Sequence, residues 1–160
     1  MKISVIIATM NRPADLRKAL DSLLAQTSAP SEILIIDQST DNLTRELSSA
    51  MEKDFQAKSV ELKYVWREEK SLVKARNNGL SLAKEDVVSF LDDDVVLFPD
   101  YYERILRYFE ANPGVGALSG NVLIPRQPAG LKWQVRKALS KFFLLSDFKG
   151  GMTDSGFGYP

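Results

Sequence analysis

The 160-residue chain contains no cysteine and no histidine. The first absence removes disulfides, thiolate-held metals and cysteine nucleophiles. The second removes imidazole, so neither a serine–histidine–aspartate triad nor a histidine-bound zinc can be assembled from these residues. Any metal must be held by oxygen, which favours magnesium, manganese or calcium. Excess charge is also lacking. Lys plus Arg and Asp plus Glu both number 21, the formal net charge is zero, and nothing in that total points to nucleic acid. Long apolar runs are missing as well: the amino-terminal stretch 3–8 gives way to Asn11 and Arg12, too short for a signal peptide or a membrane span, and a cytoplasmic location is expected. Neither G-x-x-x-x-G-K-[ST] nor a G-x-G-x-x-G after the first apolar run occurs, so a bound nucleotide must have its diphosphate held by side chains and metal.

What is present is a core-forming pattern. Hydrophobic residues make up 44% of the chain, enough for one domain. Nearly continuous β-branched runs at 3–8 and 32–37 read as strands covered on both faces. A less apolar run at 60–66 reads as a strand nearer an edge, and 87–91 as a fourth. The four begin near residues 3, 32, 60 and 87, so they are 29, 28 and 27 residues apart. That is the length of a strand–helix unit, and parallel strands need such crossovers. Helical spacing joins them. Pro13 opens a helix carrying Leu16, Leu20, Leu23 and Leu24 to about Gln26, a second runs to about Met51, and Leu72, Ala75, Gly79 and Leu82 or Ala83 mark a third. Pro99 starts a fourth, with Asp100 and Glu103 in its first turn and Tyr102, Ile105, Leu106 and Phe109 on its buried face. It ends at Asn112-Pro113-Gly114, and 115–124 reads as a fifth strand containing two glycines.

The character changes near Pro125, which divides a core over 1–125 from a second region over 126–160. In the latter, 131–145 combines Trp133, Val135, Leu139, Phe142 and Phe143 with Lys132, Arg136, Lys137 and Lys141. This basic amphipathic helix has two readings: packed on the domain, which is favoured, or lying on a membrane surface. A glycine-rich tail follows.

The chemistry-bearing residues gather at expected strand ends. Asp92-Asp93-Asp94 puts three carboxylates after a buried strand, where mutual repulsion demands a cation, a cationic partner or open water. Residues two apart on an extended chain share a side, so Asp92 and Asp94 face one ligand and Asp93 faces away. They either hold a divalent cation on a diphosphate or form a solvated acidic loop. Asp37 ends the second strand, with base or ribose contact and loop capping about equally supported. Asn11 and Arg12 share the first strand–helix loop, where Arg12 is either a phosphate ligand or a surface charge. Arg76 lies in a helix whose Asn77, Asn78 and Gly79 are poor helix formers, so both a phosphate contact and an ion pair with a strand-end aspartate bring it near the acidic cluster.

Taken together these residues resemble glycosyltransferase family 2, the inverting transferases of the GT-A fold that use nucleotide sugars. Ser4 through Arg12 looks like that family's opening and Glu32 through Asp37 like its second strand. Ala75-Arg76-Asn77-Asn78-Gly79 looks like its arginine helix, and Phe90 through Asp94 followed by Pro99-Asp100 like its D-x-D segment and next helix. The resemblance spans 3–125. It implies an α/β, Rossmann-like, mostly parallel sheet with helices on both faces. It implies that Ala8, Thr9 and Asp37 line a base and ribose pocket with Asn11 and Arg12 beside it. Arg76 would face the nucleotide, Asp92 and Asp93 would contact the donor, and Asp94, with Asp92, would hold Mn2+ or Mg2+. The implied partners are a nucleoside-diphosphate sugar and a glycan or lipid-linked acceptor, as in cell-surface polysaccharide biosynthesis, with peripheral membrane contact through 131–145 at the inner face of the membrane. The family's catalytic base is a carboxylate downstream of D-x-D; the chain reaches Pro160 without a Glu-Asp motif, so that base is expected beyond Pro160, in a longer enzyme of which this is the donor-binding part. Asp147 and Asp154 are the late acids here. The alternatives are a non-catalytic metal- or ligand-binding module of the same fold and, more weakly, a receiver-like domain, which 115–124 disfavours by carrying no lysine.

Overall fold

The computed structural model describes residues 1–120 together with the backbone of 151–152 and 158–159. The expected amphipathic helix at 131–145, Asp147 and Asp154 lie outside the described residues. By its internal contacts the chain divides into Met1–Leu118 and Ser119–Pro160. In the second unit Gly151–Met152 pairs antiparallel with Gly158–Tyr159 (β5 and β6).

In the first unit strands and helices alternate: β1 (Ile3–Thr9), α1 (Pro13–Leu24), β2 (Glu32–Asp37), α2 (Leu43–Ala57), β3 (Glu61–Trp66), α3 (Leu72–Leu82), β4 (Val87–Asp92) and α4 (Tyr101–Ala111). The strands form one parallel sheet in the order β3-β2-β1-β4. The apolar parity of each strand sorts the core into two layers. Ile3, Val5 and Ile7 of β1 and Ile33 and Ile35 of β2 pack with Leu16, Leu20 and Leu23 of α1, Met51 and Phe55 of α2, and Tyr102 of α4. Ile6, Leu34 and Ile36 face the other way, onto Ala75 of α3. Helices therefore cover both faces, and β3, the most polar strand, is at an edge as its composition predicts.

Three elements differ from expectation. Residues 115–120 form no strand: Leu118 is exposed, Gly116 and Gly120 weaken extended pairing, and β4 pairs only with β1 among the described residues. α2 continues to Ala57 because Phe55 extends its buried stripe one turn past Met51, and the chain turns only at Ser59, whose φ is 59°. α4 begins at Tyr101, with Pro99 ahead of the N-cap Asp100 and not inside the helix. Its entry is set by buried Gln26, whose amide donates to Phe98 O at 2.8 Å and accepts from Tyr102 N at 3.1 Å. On that helix Tyr102 alone is fully buried, with Ile105, Leu106 and Phe109 half-buried.

Register decides what meets at the sheet's carboxyl edge. Thr9 stands beside Asp37, Asp37 beside Trp66, and Ala8 beside Asp92. The chain moves outward from β1 through β2 to β3, then crosses by α3 to the opposite side of β1 to lay down β4. The loops after β1 and β4 therefore diverge, and a crevice opens between them where ligands bind in open parallel sheets.

Candidate functional site

A cleft of about 460 Å³ occupies this crevice, lined by Ala8, Thr9, Met10, Arg12, Gln38, Lys70, Ser71, Leu72, Arg76, Asp92, Asp93 and Asp94. Its floor is the end of β4. The three aspartates lie in different settings: the Asp93 side chain is 7% exposed, whereas those of Asp94 and Asp92 are 50% and 60% exposed. The division matches the expected alternation although β4 ends at Asp92 and the next two aspartates lie in the turn that follows it. Asp93 turns toward β1, where Thr9 Oγ1 donates to its Oδ2 at 2.7 Å and Arg12 Nη1 to its Oδ1 at 3.0 Å. The same Arg12 nitrogen reaches Asp94 Oδ2 at 3.3 Å. Both carboxylates raise the Arg12 guanidinium above its ordinary pKa, Asp93 more strongly. From α3, Arg76 Nη2 donates to Asp92 Oδ1 at 2.6 Å.

Arg76 is delivered there by close helix–sheet packing. Ala75 and Gly79 form the buried stripe of α3, and a Cβ on Gly79 would run into Ile6 Cγ2 and lie 3.2 Å from Ile6 Cγ1. Glycine at that position lets α3 lie low on the sheet, one turn from Arg76. This accounts for the poor helix formers that mark the segment.

Asp37 and Asn11 stand behind the cleft wall and do not line it. Asp37 is fully buried: its Oδ1 accepts from Ser39 N at 2.9 Å and from Ser39 Oγ, and its Oδ2 accepts from Tyr64 OH at 2.7 Å. Burial chiefly, and then the bond to Asp37, push the Tyr64 phenol up to about 12. Asn11, in the left-handed region at φ 55°, donates its N–H to Ser39 Oγ at 2.8 Å and accepts from Thr40 N at 3.0 Å. The loops after β1 and β2 are thereby tied to each other, and Trp66 Nε1 adds a bond to Ser39 O at 3.0 Å.

Met10, Gln38, Lys70, Ser71 and Leu72 complete the lining, none of them expected from sequence as a site residue. Gln38 follows the strand-end Asp37, and its amide donates to Glu69 O and, at 3.3 Å, to Ser71 O. Ser71 is the N-cap of α3, its side chain accepting from Lys74 N, and a serine directly ahead of the helical pattern at Leu72 is the signal that could have found it. That its loop lines the cleft has no such signal, since it requires β3 and β4 to lie on opposite sides of β1.

The donor set suits a hard cation. Asp92 and Asp94 present half-exposed carboxylates to the cleft, and no cluster of three or more candidate ligands exists among the described residues. One or two carboxylates completed by phosphate oxygens and water is the arrangement magnesium-like ions accept. The residues fit such an ion when it arrives with a phosphate ligand.

Fold and cleft together define a GT-A-type α/β domain with an open cleft at the β1/β4 switch point. The chain belongs to glycosyl transferase family 2, whose sequence profile matches residues 4–156. It is 33% identical over 118 residues to an uncharacterized glycosyltransferase of Nostoc sp., covering 74% of this chain and 36% of that protein. It is 30% identical over 156 residues to GalNAc(5)-diNAcBac-PP-undecaprenol beta-1,3-glucosyltransferase of Campylobacter jejuni, covering 93% of this chain and 49% of that protein. The chain thus spans about half or less of these relatives. Among solved structures, the mannosyltransferase PcManGT of Pyrobaculum calidifontis, in complex with GDP-Man and Mn2+, superposes with a TM-score of 0.63 at 24% identity over 72% of this chain and 34% of its own. S. aureus TarS 1-349 in complex with UDP gives 0.62 at 23% over 78% and 38%. These likenesses establish the fold.

Proposed function

We propose that this chain is the donor-binding part of an inverting, metal-dependent glycosyltransferase that transfers a sugar from a nucleoside-diphosphate sugar to an acceptor hydroxyl. The observation that carries this reading is the cleft itself, in which half-exposed Asp92 and Asp94 stand opposite Arg12 and Arg76. Such a cleft offers separate places for a cation and for a diphosphate. Support comes from neighbours solved with UDP, UDP-GlcNAc, and GDP-Man with Mn2+.

In this reading Asp94 and Asp92 hold Mn2+ or Mg2+, which when bound neutralises charge on the departing diphosphate. Arg12 and Arg76 donate to the phosphates. Thr9 and Asp93 keep the β1 loop against the end of β4, and Ala8, Asn11 and Asp37 shape the nucleoside end of the pocket. The acceptor is a glycan or lipid-linked sugar, consistent with relatives named as undecaprenol- and dolichyl-linked transferases. The acceptor's base is assigned to none of the cleft aspartates, each of which is already held by Thr9, Arg12 or Arg76. Such an acceptor would bring the reaction to a membrane surface, in this reading the inner face; among the described residues no helix is long and apolar enough to cross a membrane.

The test is thermal denaturation with UDP, GDP and their sugars, with and without Mn2+. At a hundredfold excess over Kd a ligand of the folded state adds about 2.7 kcal/mol. Nucleotide stabilisation that needs Mn2+ and disappears in Asp94→Ala is expected. Stabilisation by Mn2+ alone, indifferent to every nucleotide, would replace this reading with that of a non-catalytic metal-binding module.

A further inference from the structure

The cleft is charge-balanced in a specific way. Asp92, Asp93 and Asp94 are matched by Arg12, Lys70 and Arg76, all of them lining residues. The most economical contact is made by Arg12, whose single Nη1 spans Asp93 at 3.0 Å and Asp94 at 3.3 Å. A divalent cation arriving alone at Asp94 has to break that contact while the guanidinium stays nearby as a like charge. A diphosphate arriving alone has to draw the guanidinium away and leave two carboxylates facing its own negative charge. Arriving together, each takes the partner the other has released.

We propose that Arg12 is an exchange residue: it holds Asp94 in the empty cleft, passes to the diphosphate when the donor enters, and so makes metal binding and nucleotide binding mutually dependent. This rests on the donor-binding reading above. Arg12 suits the role better than Arg76. It touches two of the cleft carboxylates, the longer of those two contacts being to the exposed Asp94, with a looser 3.8 Å approach of its Nε to Asp15 outside the cleft, and its side chain is 49% exposed. It is also the N-cap residue of α1, outside the regular helix, so the head group can swing without disturbing a helical turn. Asp93, buried and also bonded to Thr9, keeps its place when the arginine leaves. Lys70 and Arg76 remain to meet the phosphates.

Linkage makes the effect measurable. The factor by which nucleotide tightens metal equals the factor by which metal tightens nucleotide. Calorimetric titration of the full chain with Mn2+ alone, UDP or GDP alone, and each in the presence of the other gives that factor without any transfer assay. The wild-type chain should show a coupling of about tenfold or more. In Arg12→Gln, Mn2+ alone should bind about three- to tenfold more tightly, since one nearby positive charge is gone, and the coupling should fall by a similar factor. Arg12→Lys, which keeps the charge but loses the planar fork, should lie between them. Circular dichroism establishes that each variant is folded, and Arg12→Lys carries the comparison if Arg12→Gln is not. If Arg12→Gln binds Mn2+ no more tightly than wild type, or keeps the full coupling, the exchange role is overturned. Independent binding of Mn2+ and nucleotide by the wild type would overturn it too, while leaving the donor-binding reading intact. A chain that binds neither nucleotide with Mn2+ present removes both.

Discussion

Gly79→Ala sets two effects of opposite sign against each other. On an exposed helix the change would stabilise by about 1 kcal/mol through helix propensity. Here the new methyl would overlap Ile6 Cγ2 and sit 3.2 Å from Cγ1. Ile6 is 1% exposed, in one of the two interior strands of the sheet, and its branched side chain has few rotamers to retreat into. Overpacking of this kind costs about 1–3 kcal/mol, and so deep an overlap belongs at the upper end. The net expectation is a loss of about 2 kcal/mol, or roughly 6–10 °C in Tm for a unit of this size. Urea denaturation followed by far-ultraviolet circular dichroism measures it. The double variant Ile6→Ala/Gly79→Ala supplies the internal control. Removing Cγ1 and Cγ2 relieves the overlap while the propensity gain persists, so the pair should be less destabilised than the sum of the single changes by about 3 kcal/mol. Lifting α3 also moves Arg76 away from Asp92, so any nucleotide affinity should weaken with it. A stabilised Gly79→Ala, or strictly additive single changes, would refute the close-packing account.

Two further outcomes follow from the hydrogen bonds behind the cleft. Thr9→Val removes the hydroxyl that donates to buried Asp93 and should cost about 1–3 kcal/mol in a chemical denaturation, much of it from the carboxylate oxygen left unpaired. Tyr64→Phe removes the donor to Asp37 and should cost about 1–2 kcal/mol near neutral pH. Because folding raises the Tyr64 phenol from 10.0 to about 12, its contribution is intact below pH 10 and is lost as pH climbs toward 12. The stability difference between wild type and Tyr64→Phe should therefore shrink across that window.

Local pattern carried most of the architecture. The apolar run at Glu32–Asp37 has the limits of β2, and the even spacing of strand–helix units appears as a parallel sheet. Over its described part, 115–120, the expected strand does not form, because an apolar stretch states only what a segment can do. Whether 115–120 pairs depends on a neighbouring edge that the run itself does not encode. Ser59 shows the same limit: a left-handed turn at a residue other than glycine leaves no mark in composition.

The acidic cluster, the arginine in a weak helix and the strand-end position of Asp37 were legible because charge and glycine are conspicuous in apolar surroundings. Their division of labour was not. Thr9 ↔ Asp37 and Ala8 ↔ Asp92 are register facts, and register is a property of paired strands and not of either one. It is the tertiary structure that buries Asp93 against Thr9, leaves Asp92 and Asp94 to two arginines, and sets Asp37 behind the wall with Ser39 and Tyr64. Sequence alone picked out the charged groups and the end of the sheet at which they collect. Which of them touch each other was decided by the crossing of α3 to the far side of β1, since contacts between residues some eighty positions apart exist only once the strands between them are in place.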